Sequence, residues 1–243
     1  MADVAAAVGL SETAFLLPGD QRGGAWGLRW FTPEGTPAAE VELCGHATLA
    51  AAHRLWELGA VPPEQPLRFR TRFSGELRCE RMGAAVRMDF PAQHCEPRSA
   101  PADLLKALGL EQGQVETVAF GPYDWIVVLG EVAAVRGLTP DFKALAAFEC
   151  RGVAVTAHQS GGPVDLVSRF FAPRHRIEED PVTGSLHCVL ATLWAERLGR
   201  DVFTAEQASR RGGRIGLELI GDRVYLTGHA VTVAEGRWVS GAE

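Results

Sequence analysis

The chain has 243 residues and no apolar run long enough to cross a bilayer as a helix, which takes about 20 residues. Its opening, Met1-Ala2-Asp3-Val4, lacks the basic segment and apolar stretch of a secretory signal. It has no C-x-x-C pair. Its five cysteines, at 44, 79, 95, 150 and 188, are odd in number and widely separated. That argues against a disulfide framework and fits a reducing cytoplasm. Positive charge is not in excess either. The formal net charge is −6, which argues against a nucleic acid or an anionic membrane as partner. No segment is of low complexity.

Hydrophobic residues make up 47% of the chain, the globular range, so a sizeable core can form as one large domain or two small ones. Residues 2–8 read as the end of a short helix stopped by Gly9, and Thr13 to Leu17 as a strand. Gly23-Gly24 marks a turn before Trp26 to Thr32, which alternates like a half-buried strand. Gly45 to Leu58 is an Ala/Leu-rich helix, apolar on most faces and therefore expected to be buried. Leu67–Arg72, Gly75–Glu80 and Ala84–Phe90 alternate as antiparallel strands. The proline-bearing stretch from Phe90 to Ala102 reads as a linker. Beyond it, Leu104–Leu110 is expected to be helical, Thr117–Leu129 mostly strand, and Leu145–Ala147 part of a helix. Val164–Phe171 is a strand, Gly184–Leu198 a second long apolar helix, and Gly213–Val233 two strands around a Gly221-Asp222 turn. A last strand is expected within about 230–243, returning to a first half of residues 1–97, with 98–229 as the second half.

A weak internal repeat organises these elements. Phe31-Thr-Pro33 is followed by Glu40, five residues before Gly45 and its helix. Phe171-Ala-Pro173 is followed by Glu179, five residues before Gly184 and a helix of nearly equal length. The shared order suggests two homologous halves. A glycine at a helix start admits a ligand close to the backbone, and the first turn offers free N–H groups at the positive end of the helix dipole. Two such ends facing across a cleft would cradle an anion such as a carboxylate. His46 stands beside Gly45, and Asp180 and Ser185 around Gly184. Singly each reads as a cap or turn residue; their matched placement favours a site.

The segments Leu10-Ser-Glu-Thr-Ala-Phe15, Phe31-Thr-Pro33, Leu43-Cys-Gly-His-Ala-Thr-Leu-Ala50, Arg169-Phe-Phe-Ala-Pro173, Glu179-Asp-Pro-Val-Thr-Gly-Ser185 and Ser209-Arg-Arg-Gly-Gly213 resemble, in order and spacing, the phenazine-biosynthesis PhzF-like family. The likeness covers essentially the whole chain. It implies an α+β, diaminopimelate-epimerase-like fold of two similar halves, each a curved antiparallel sheet or barrel around a central helix. It also implies an isomerase that needs no cofactor, moves protons between carbons of a small carboxylate-bearing metabolite, and is often a homodimer. Residue by residue, Glu12 matches the family's proton-shuttling glutamate. His46 and Asp180 complete the implied catalytic set, with Gly45, Ala47, Gly184 and Ser185 as the substrate-binding residues. Burial is expected to raise the Glu12 pKa.

In related epimerases two thiols, one per half, act on opposite faces of the substrate. Cys44 sits at the first of those places, but Thr183 occupies the second, and a hydroxyl is far too weak an acid for that part. Cys44 then reads as a buried small residue or a spectator in the cleft. Cys44/His46 and His187/Cys188 lack zinc-motif spacing. Arg210-Arg211-Gly212-Gly213 reads as a turn or as a source of positive charge for a carboxylate. Family members normally place a strand, a Gly-Asn-Pro segment and a helix before the Ser-Glu-Thr motif, whereas Ser11 comes here almost at once. An uncovered sheet edge would follow, favouring a dimer. The alternatives to an isomerase are a catalytically reduced homologue serving as a binding or interaction module, and an epimerase or racemase.

Overall fold

The computed structural model describes residues 1–19, 24–33 and 40–237. Its centre is a pair of helices, α2 (Gly45–Glu57) and α6 (Gly184–Leu198), whose sequence is too apolar for a surface helix. In α6, Leu186, His187, Leu190 and Ala191 are fully buried. In α2, Ala47, Thr48, Ala51, Ala52, Leu55 and Trp56 are buried. Residues of both belong to one continuous apolar core, so the two halves are fused at their centre.

Around α2 stand β1 (Thr13–Leu17), β2 (Trp26–Phe31), β3 (Glu40–Val41), β4 (Leu67–Arg70), β5 (Glu76–Met82) and β6 (Ala85–Pro91), after the short helix α1 (Ala2–Val8). The stretch read as a linker holds the two-residue strand β7 (Glu96–Pro97). Then come α3 (Leu104–Leu108), β8 (Val115–Phe120), β9 (Asp124–Leu129), α4 (Val132–Arg136), α5 (Phe142–Leu145), β10 (Gly152–His158) and β11 (Leu166–Phe171). After α6, β12 (Val202–Gln207), β13 (Gly213–Ile220) and β14 (Arg223–Gly228) complete the fold.

The strands form one sheet in the order β1-β2-β4-β5-β6-β14-β13-β12-β11-β10-β9-β8-β7, with β3 on β2. Outward from the antiparallel seam β6/β14 the two sides mirror each other. The pairs β5/β6, β4/β5 and β1/β2 are antiparallel and β2/β4 parallel. The pairs β13/β14, β12/β13 and β10/β11 are antiparallel and β11/β12 parallel. Past β10 the sheet continues into β9, which runs parallel to it. Past β1 no strand follows among the described residues. The extra strands of the second half carry α3, α4 and α5 on a second apolar cluster, built around Leu104, Leu108, Val127, Val155 and Phe171.

The fold departs from the sequence expectations at three points. The final strand does not form over residues 229–237; 238–243 lie outside the described residues. The strand that joins the halves is the preceding one, β14, which already occupies the edge of β6. Val231 and Val233 are therefore left 79% and 86% exposed, with nothing to pack on. The tail instead lies on the end of α2, where Thr232 Oγ1 donates to Glu57 at 2.6 Å and Glu235 pairs with Arg54 at 2.8 Å. Second, β10 was not expected, since it has no alternating pattern: all but its last residue are buried, as in a strand covered on both faces. Third, β12 and α4 were not expected at all. The turn expected at Gly23-Gly24 lies partly outside the described residues.

Candidate active site

Each central helix is placed by the same device. Arg29 on β2 makes a two-pronged pair with Glu40, 2.7 Å at each contact, and its guanidinium lies over the Phe31 ring. Arg169 on β11 pairs with Glu179 at 2.6 and 3.2 Å and lies over Phe171. The duplicated glutamate of the sequence thus anchors the segment leading into each helix, and each arginine stands two residues before its phenylalanine. Planar, paired hydrogen bonds of this kind fix orientation as well as distance.

The helix starts that result touch. A methyl group built on Gly45 would lie 3.1 Å from the Gly184 Cα, and one built on Gly184 would lie 3.1 Å from the Gly45 Cα. Both positions disfavour a side chain for that reason, not because of an unusual backbone angle. The residues before them, Cys44 and Thr183, are extended and neither makes a side-chain cap bond. The first-turn N–H groups, which no intrahelical carbonyl can reach, are thereby left without the usual serine- or aspartate-type cap. Two uncapped, positive helix ends meet at one point, a place suited to an anion.

Glu12 and His46 lie at this point. Glu12 precedes β1, is largely buried, and its Oε2 is 2.9 Å from His46 Nε2. Ser11 Oγ stands 3.4 Å and Cys44 Sγ 3.6 Å from the same nitrogen. Burial pushes the Glu12 carboxyl up, but His46, helped by Ser11 and Cys44, favours the carboxylate more, and its pKa falls below the usual value. The expectation of a raised pKa was wrong because it counted burial and not the imidazolium beside it. Burial acts against the imidazolium of His46; contact with Cys44 and Glu12 outweighs it and raises the pKa above the usual imidazole value. Burial keeps Cys44 a thiol, so Glu12 is the charge that holds His46 protonated. Glu12, Cys44 and His46 also form a possible ligand set for a metal ion. Two helix N-termini oppose a cation there.

Asp180 is 8% exposed and its carboxyl is raised by burial, with Thr183 Oγ1, which donates to it, and His46 acting the other way. Gln207, fully buried, holds this turn: its Nε2 donates to the Asp180 carbonyl at 2.7 Å, and its Oε1 accepts from the Thr183 N–H at 2.8 Å. Thr183 Oγ1 is thus committed to Asp180. His187, one turn on, is fully buried, lies with Nδ1 2.7 Å from the Thr183 carbonyl, and is held neutral, its pKa lowered to about 4 by burial. Ala47 packs in the core, and its backbone N–H lies against the Cys44 sulfur. Arg210 and Arg211 are exposed, on a turn held by Ser209 Oγ, which accepts from the Gly212 N–H and donates to the Pro181 carbonyl.

Ser185 does not touch Glu12 or His46 in any described contact. Its Oγ accepts from Arg151 Nη1 at 2.9 Å, and Arg151 is bound through Nε and Nη2 to both oxygens of buried Asp124. Neither Arg151 nor Asp124 was singled out from the sequence. Arg151 also lines a cleft of about 360 Å³ together with Phe120, Tyr123, Arg174 and His175.

Residues 1–236 match the model of the family described as phenazine biosynthesis-like protein. An uncharacterized isomerase of Pseudomonas aeruginosa is 49% identical over 229 residues, covering 94% of this chain and 82% of the relative. The crystal structure of a PhzF-family phenazine biosynthesis protein from Enterococcus faecalis superposes with a TM-score of 0.85 at 39% identity, covering 96% of this chain and 84% of that one. A hydroxyproline epimerase from Agrobacterium vitis shares the fold alone, with a TM-score of 0.57 at 13% identity over 90% of this chain and 71% of that one. The architecture is the diaminopimelate-epimerase-like α+β fold. The matched region contains every residue of the site described above, and the chain belongs to the phenazine biosynthesis-like protein family.

Proposed function

We propose that the protein is a cofactor-independent isomerase that moves a proton between two carbons of a small carboxylate-bearing metabolite. The observation that carries this reading is the Glu12–His46 pair, 2.9 Å apart at the meeting point of two uncapped helix starts. The substrate's carboxylate rests on the first-turn N–H groups at Gly45 and Gly184, with the Ser185 hydroxyl as a further donor. Glu12, ionised at rest, takes a proton from carbon; the electron pair left behind moves into the substrate's conjugated system. Glu12 then returns the proton at another carbon, so one C–H bond breaks, one forms, and nothing is oxidised. His46, protonated throughout, orients Glu12 and offsets the charge that develops. Asp180 holds a polar group of the substrate.

The epimerase alternative needs a second acid–base group on the opposite face. Thr183 stands in that place with its hydroxyl given to Asp180, and Cys44 is a thiol of raised pKa. These features favour proton transfer by one carboxylate. The reading includes a homodimer in the cytoplasm: among the described residues β1 ends the sheet, with Leu10 and Leu17 exposed beside it, and the five cysteines are free thiols. Light scattering at micromolar concentration tests the dimer. The activity is tested by incubating the protein in D2O with small unsaturated and aromatic carboxylates and following C–H exchange by NMR. Exchange should fall by about 10²–10⁴ in Glu12→Gln. Equal exchange in wild type and Glu12→Gln would refute the assignment of the base, and no exchange with any member of the panel would refute the substrate class.

A further inference from the structure

The mirrored halves give Arg151 a defined counterpart. Thr13 of β1 pairs with Phe31 of β2, and Val153 of β10 pairs with Phe171 of β11. The two phenylalanines belong to the duplicated F-x-P segments, so Ser11 and Arg151 occupy matching places, each two residues before its strand partner. His46 and Ser185 match as well, each following the glycine that opens its helix. The contacts repeat: Ser11 Oγ lies 3.4 Å from His46 Nε2, and Arg151 Nη1 lies 2.9 Å from Ser185 Oγ. One half therefore presents a proton-transfer pair at the helix junction. The other presents a serine tied to a cation at the corresponding position.

The donors and acceptors decide what that serine can do. Arg151 has its Nε and Nη2 on Asp124, which is 2% exposed. Its guanidinium also lies 5.3 Å from the centre of the Tyr123 ring and 5.6 Å from that of Phe170. It cannot turn away without leaving a buried carboxylate unpaired. An arginine only donates, so the Ser185 oxygen accepts and the Ser185 proton is directed elsewhere. The carbonyl that a serine inside a helix commonly bonds lies four residues back, but for Ser185 that residue is Pro181, which precedes the helix.

We propose that Arg151, locked by Asp124, is a positioning residue that makes Ser185 a fixed hydrogen-bond donor to an anionic group resting on the two helix starts. This rests on the reading of the junction as a carboxylate site. The probe is sodium acetate, titrated at constant ionic strength while the backbone amide resonances of Gly45, Gly184 and Ser185 are followed by NMR. In the wild type these amides are expected to shift saturably. Arg151→Met and Ser185→Ala should each weaken acetate about tenfold, the loss expected for one hydrogen bond to a charged group. The double variant should be no weaker than Ser185→Ala alone, because the arginine acts through the serine. A purely structural arginine would give losses that multiply, and that result overturns the proposal, as does Arg151→Met binding like wild type. If Arg151→Met does not fold, Asp124→Asn/Arg151→Met removes both buried charges together and serves in its place. A wild type that binds acetate separates failure of the positioning claim from failure of the carboxylate site; a wild type whose three amides do not respond overturns both.

Discussion

Replacing Gly45 with alanine tests the junction on which the site depends. The new methyl carbon would sit 3.1 Å from the Cα of Gly184, closer than ordinary carbon contact, and the atom it meets is backbone. No rotamer relieves this, so the helices must separate by a few tenths of an ångström within a core shared by both halves. Overpacking of this kind costs about 1–3 kcal/mol. Gly45 is the first residue of α2, where alanine recovers little of the propensity gain that belongs to a helix interior. A cost of about 1–3 kcal/mol corresponds to a fall in Tm of roughly 2–12 °C for a chain of this length. Gly113→Ala is the control: a methyl there meets nothing within 4 Å, and its effect should stay within about 0.5 kcal/mol. Gly184→Ala should cost a similar amount. The double variant should cost less than the two together, because the first substitution has already parted the helices. Calorimetry or thermal denaturation gives the Tm values, and acetate titration reports whether the parted helices still hold an anion. A Gly45→Ala protein as stable as wild type, with unchanged acetate affinity, would refute the claim that close backbone contact builds the site.

Asp180→Asn should raise Tm at pH 7, by about 2–4 °C if the gain is near 1 kcal/mol. The Asp180 pKa is raised by burial, so the folded protein is penalised once pH exceeds the unfolded value, and the gain should vanish below that value; a lower Tm at pH 7 would contradict it. His187→Asn should flatten the acid limb of the stability profile. The neutral imidazole, with its pKa lowered from 6.5 to about 4, disfavours the folded state increasingly as pH falls through that window, by about 3 kcal/mol in all. Urea midpoints for both proteins between pH 7 and 4 measure the difference, and parallel profiles would refute it. Cys44→Ala should retain C–H exchange with any carboxylate the wild type accepts, within about threefold, because burial keeps that sulfur protonated; loss comparable to Glu12→Gln would revive a thiol-based mechanism.

Periodicity and local chemistry made most elements legible in the sequence. β1 and α6 match their expected spans, and Gly9, at φ 68°, ends α1 as the left-handed residue a helix stop calls for. The duplicated F-x-P, Glu and Gly pattern is a local signal, and it brought His46, Gly45 and Gly184 into view before any coordinates, whereas Glu12 came into view only through the family resemblance. What local signals could not carry was decided by packing. The alternating valines at 231 and 233 form no strand, because β14 already occupies the edge of β6 to which the last strand was expected to return. The pKa of Glu12 falls because a histidine from 34 residues later lies against it. Arg151 and Asp124 are 27 residues apart and meet Ser185 only once β9, β10 and α6 are assembled. A sequence states which groups are available and which stretches favour helix or strand. Only the folded chain sets the distances between groups remote in sequence, and hydrogen bonds and charge interactions change with each ångström of that distance.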